Sequence, residues 1–162
     1  MKAVKKDLEK GLTMVEVVIA SAIILGTVLT LLGVHTLYLN VALGNAHSVK
    51  AAFLLEETLE VVRYLRDDSY SAKVSTLSNS TNYGVVLNGT MWQASTTSTS
   101  IDNFQRYFTL SPVSRDANRD IVSSGGTLDP NTKLVTASVS WAKNGATTTK
   151  SISTYITNLY QN

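Results

Sequence analysis

The sequence predicts an α+β protein, with one long N-terminal helix followed by a small antiparallel β-sheet head. Three observations predict it. No ionised side chain occurs from Val17 to Leu39, where leucine, valine, isoleucine and alanine dominate. From Val41 to Asp68 there is no proline, and apolar residues return at helical spacing. After Ser69, Asn88-Gly89 and Asn144-Gly145 each separate short runs rich in β-branched residues, the strongest short-range hairpin signal.

The apolar run comes first. As a helix at roughly 1.5 Å per residue, Val17 to Leu39 would reach about 35 Å, enough for a bilayer core of about 30 Å. It is longer than the apolar region of a cleavable secretory signal, and no small-x-small site closes it. Ahead of it lie Lys2, Lys5, Lys6 and Lys10, which place the N-terminus inside by the positive-inside rule. Glu16 sits at the very start of the run. An acid there is costly unless paired, which makes it a functional candidate.

The stretch Gly11-Leu12-Thr13-Met14-Val15-Glu16, basic before and apolar after, resembles the processing signal of class III prepilins. These are the precursors of type IV pilins and type II secretion pseudopilins. The resemblance implies cleavage after Gly11 by a membrane-embedded prepilin peptidase, N-methylation of Leu12, and use of Glu16 in assembly. Leucine stands at Leu12 where phenylalanine is most common in the family, and Gly33 where many major pilins carry a kinking proline. The implied segments are a cytoplasmic leader at 1–11, a transmembrane and assembly helix at 12–39, its amphipathic continuation at 40–68, and a pilin-like β-sheet head at 69–162.

Within the amphipathic segment, Ala51, Leu54, Leu55, Leu59, Val61, Val62 and Leu65 fall on one arc at 100° per residue. Lys50, Glu56, Glu57, Glu60, Arg63, Asp67 and Asp68 fall on the opposite one, with Arg63 and Asp67 spaced for an ion pair. Phe53 and Tyr64 interrupt the charged arc and are candidate contacts to a neighbouring subunit, since aromatic residues are enriched at interfaces.

The remaining chain reads as follows. Ser69 to Ser80 is polar and predicts a loop, and Tyr83 to Trp92 a hairpin turning at Asn88-Gly89. Gln93 to Ser100 is a serine/threonine connection. Phe104, Arg106, Phe108 and Leu110 alternate as a strand, whereas Pro112 to Asp129 is mostly irregular. Val135, Ala137, Val139 and Trp141 alternate in a second strand, which returns through Asn144-Gly145 with Ile152, Thr154 and Ile156 on one face. An antiparallel sheet with one apolar face needs a cover, and the arc of Leu55, Leu59, Val62 and Leu65 supplies it.

Chemistry is sparse. The two histidines are His35 and His47, and there is no cysteine. Ser–His and Cys–His nucleophiles and most zinc sites are therefore excluded from the head, and no enzyme activity is expected. Asp116, Asn118 and Asp120 alternate like the opening of a calcium loop, with Asp129 as a further ligand candidate. Ile121 then stands where that loop needs glycine, and Thr127 where it needs glutamate. No cofactor is expected other than calcium at those four residues, an ion that some pseudopilin heads carry by resemblance. Formal net charge is +2, and the whole of that excess lies in the leader, which argues against DNA as a partner.

The reading that follows is a minor pilin or pseudopilin of a type IV pilus or type II secretion-like filament. Its partners would be the prepilin peptidase, other pilin or pseudopilin subunits, an inner-membrane assembly platform and the lipid bilayer. The protein would be single-pass in the bacterial cytoplasmic membrane, with its head exported. The alternative is a membrane-anchored extracellular binding domain that does not polymerise.

Overall fold

The computed structural model describes residues 13–143 and 145–160. Helix α1 spans Met14–Lys73. The strands are β1 Gly84–Asn88, β2 Met91–Ser95, β3 Thr99–Ile101, β4 Phe104–Arg115, β5 Ile121–Val122, β6 Thr127–Lys143 and β7 Ala146–Thr157. The architecture is α+β, one long apolar N-terminal helix and a small antiparallel sheet domain. The chain divides into two compact units between Ala46 and His47.

In the first unit every described side chain from Thr13 to Leu43 is exposed. This part of α1 makes the helix long and apolar enough to cross a membrane. Its hydroxyls are satisfied within the helix. Ser21 and Thr27 donate to the carbonyls of Val18 and Ile24 at 2.8 Å, and Thr30 and Thr36 to those of Gly26 and Leu32 at 2.9 Å. In lipid, where water cannot take these bonds, such pairing removes most of the cost of a polar side chain.

The second unit is built around one core. All seven residues of the apolar arc, Ala51 to Leu65, are buried there with Phe104, Phe108, Leu110, Val135, Ala137, Val139, Trp141 and Ile156. Each large side chain buried this way is worth about 1.5–3 kcal/mol. The sheet order is β3-β4-β6-β7, with β5 paired to β4, and β1-β2 forms a separate hairpin. A bridge between Tyr83 and Phe108 ties that hairpin to β4.

Three expectations for this unit need correction. The helix does not end in a loop at Ser69. That residue takes extended backbone angles inside α1, and its Oγ accepts the Ala72 N–H at 3.3 Å, an N-cap that restarts the helix. The restart carries Tyr70 into the core, with Val74 just beyond the helix end. The Tyr70 hydroxyl donates to the Pro130 carbonyl at 3.1 Å. Nor is Pro112 to Asp129 mostly irregular. Strand β4 runs through Pro112 to Arg115, and the register jumps from Pro112↔Lys133 to Val113↔Asp129. Proline lacks the N–H that a ladder needs and is tolerated at such a bulge.

The first hairpin is also shifted. Asn88 pairs with Met91, so Gly89 and Thr90 occupy the turn. Only Gly89 has positive φ, +65°, which matches a II′ turn better than the I′ turn expected from Asn-Gly. In the second hairpin Lys143 pairs with Ala146 and Gly145 has positive φ, +79°; Asn144, the other expected turn residue, lies outside the described residues. Ile152 shares the inner register of Ile156 but remains exposed on β7, the edge strand.

The sheet face opposite α1 has its own pattern. Tyr107, Ser138 and Ser151 form one cross-strand row, and Thr109, Thr136 and Ser153 the next. The Ser138–Ser151 and Thr136–Ser153 hydroxyl pairs are both 2.8 Å apart.

Candidate assembly site and head surfaces

Thr13 begins α1 by capping it. Its Oγ1 accepts the Glu16 N–H at 3.3 Å, and its carbonyl the Val17 N–H at 3.2 Å. Threonine three residues before glutamate is the capping-box pattern, so the first helical turn is defined by Thr13-Met14-Val15-Glu16. The pattern is legible in the sequence but is easily absorbed into the processing signal that overlaps it. Glu16 lies in the first turn, where a carboxylate is also favoured by the positive end of the helix dipole. Among the described residues of the first unit it is the only Asp, Glu, Lys or Arg, and a predominantly apolar exposed surface follows it. Gly11 and Leu12, the expected processing junction, lie outside the described residues.

The expected subunit contacts Phe53 and Tyr64 both project from the solvent side of α1 within the second unit. Phe53 is 67% exposed and Tyr64 40% exposed. The rest of that side is charged. Arg63 pairs with Glu60, and Asp67, the partner expected for it, has Arg66 Nε 2.7 Å from its Oδ1. Of the charged arc, Glu57 behaves differently. It turns toward the sheet and meets the buried Arg106.

Of the four calcium candidates, Asp116 and Asp129 accept hydrogen bonds through their carboxylates. Asp116 Oδ1 accepts the N–H groups of Asn118 and Asp120, both at 2.9 Å. Asp129 Oδ2 takes the Arg115 Nε at 2.7 Å, and its other oxygen the Asn131 N–H. These bonds with Arg115 and then Thr132 hold the Asp129 carboxyl below its ordinary pKa. Among the described residues no group of three or more His, Cys, Asp or Glu side chains is placed to hold a metal ion.

Arg115 is a residue that sequence reasoning did not single out. Besides Asp129, it donates to the Arg119 carbonyl at 2.7 Å and to Thr132 Oγ1 at 3.3 Å. One guanidinium thus ties the 116–120 turn to the bulge in β6. Its five fixed donors suit it to this task.

The histidines are kept apart. His35 is exposed on the apolar part of α1. The His47 ring stands edge-on to Phe104, with centroids 5.8 Å apart and planes at 84°. Lys50 Nζ lies over the Phe104 ring, 5.4 Å from its centre, and pairs with Asp102. No nucleophile or general base accompanies either imidazole in these contacts.

Comparison with family models, curated proteins and solved structures returns no match for this chain.

Proposed function

We propose that this chain is a structural subunit of the minor pilin or pseudopilin kind, processed by a prepilin peptidase after Gly11 and assembled through its N-terminal helix. The observation that carries the reading is Glu16. It is a lone carboxylate in the first turn of a helix whose following surface is exposed and predominantly apolar. Processing would put a cationic amine on Leu12. The same amine on an adjacent subunit would then be a natural partner for Glu16. In a low-dielectric helix bundle the pair is strongly attractive, whereas an unpaired carboxylate there costs several kcal/mol.

In this reading the subunit resides in a bacterial cytoplasmic membrane before assembly, with its head outside. Packing of Val17 to Leu39 between subunits supplies most of the adhesion, Glu16 sets register, and Phe53 and Tyr64 touch neighbours along the filament. The role is structural and requires neither an active site nor a resident cofactor. The principal competitor is a tethered binding domain that never polymerises. It is favoured by one observation: Glu16 lies in the first turn of a helix capped by Thr13, where a carboxylate is stabilised by the helix dipole without any partner subunit.

Mass spectrometry of the native N-terminus tests the reading directly. Loss of residues 1–11 with one added methyl group is expected, and a chain beginning at Met1 would leave only the tethered domain. Glu16→Ala should still be cleaved yet fail to enter filaments. Normal incorporation of that variant would defeat the pairing. Alanine at both Phe53 and Tyr64 should weaken assembly without altering the melting of the head.

A further inference from the structure

We draw no further inference here: the strongest candidate, the unpaired outer edge of β7 with the groove in which Ile152 lies beside Leu59, Glu56, Glu60 and Arg63 of α1, is an open strand edge of mixed charge, and nothing in the structure shows what covers it.

Discussion

Arg106 and Glu57 meet between β4 and α1, with Nη1 2.7 Å from Oε2. The guanidinium carbon lies 5.8 Å from the centre of the Trp92 ring. The pair is lopsided: the Arg106 side chain is 4% exposed and that of Glu57 43%. The cation is committed to the core while its partner is half in water. Removing Glu57 therefore strands a buried charge, although solvent at the carboxylate limits the loss. Glu57→Ala should lower the stability of the full-length protein in micelles by about 1–2 kcal/mol, less than the roughly 3–5 kcal/mol of a fully buried pair. Arg106→Met in the same background should recover most of that. A denaturant-unfolding double-mutant cycle measures both, and additive losses would exclude the coupling.

The same pair shows what the sequence could convey. Alternation placed Arg106 on the face of Phe104, Phe108 and Leu110, and helical spacing placed Glu57 among solvent-facing charges. Each assignment follows from a one-dimensional period, and neither period contains the partner. The apolar arc of α1 was legible because seven residues repeat one spacing. Tyr70 and Val74 were hidden among serines and aspartates, since a helix that restarts at a capped serine shows no continuous period. Strand β4 beyond Pro112 was hidden for a different reason. Proline reads as a terminator unless a bulge removes the need for its N–H, and a bulge depends on the other strand. For the candidate site, the position of Glu16 was legible and its cap at Thr13 was equally so, but Arg115 acquires meaning only when β5, β6 and the 116–120 turn are assembled around it.

Acid stability should depend on Asp129. Hydrogen bonds from Arg115 and Thr132 lower its pKa in the folded state below the ordinary 3.8. A depressed carboxyl stabilises the fold above the unfolded-state value, and the gain is lost as pH falls through the folded-state value. Unfolding free energy should accordingly drop as pH falls below about 4, and Asp129→Asn should flatten that limb. Tyr70 gives the opposite case: burial, and then the Asp129 charge, raise its pKa above 10.0. Its contribution is present below pH 10 and is lost as pH rises through the folded-state value. Tyr70→Phe should remove that alkaline limb, at a cost of about 1 kcal/mol for the hydrogen bond to Pro130. Denaturant melts from acid to alkaline pH measure both limbs.

Two glycines with similar backbone angles should respond differently to alanine. Gly89 and Gly126 both have positive φ, +65° and +76°. A Cβ on Gly89 would meet open space, whereas one on Gly126 would stand 2.5 Å from the Arg115 carbonyl oxygen. Gly89→Ala should cost about 1 kcal/mol from conformation alone. Gly126→Ala adds a backbone clash next to Arg115 and should cost about 2–4 kcal/mol. Thermal melts of the two variants compare them, and equal shifts would mean that the 123–126 turn yields without disturbing Arg115.

The two roles open to Glu16 can be separated by a single atom change. A capping box accepts glutamine as readily as glutamate, because what it uses is a hydrogen-bonding side chain behind the Thr13 cap. Pairing with a cationic amine needs the negative charge itself. Glu16→Gln should therefore preserve the helix start and the processing after Gly11 while abolishing filament entry. Thr13→Ala should have the complementary effect: the loss of the cap costs about 1 kcal/mol and frays the first turn, while the carboxylate remains for assembly. Circular dichroism in micelles reads the first effect, and the fraction of protein sedimenting with filaments reads the second. If Glu16→Gln assembles normally and Thr13→Ala does not, the carboxylate is a cap, and register in the filament must come from the packing of the apolar helix alone.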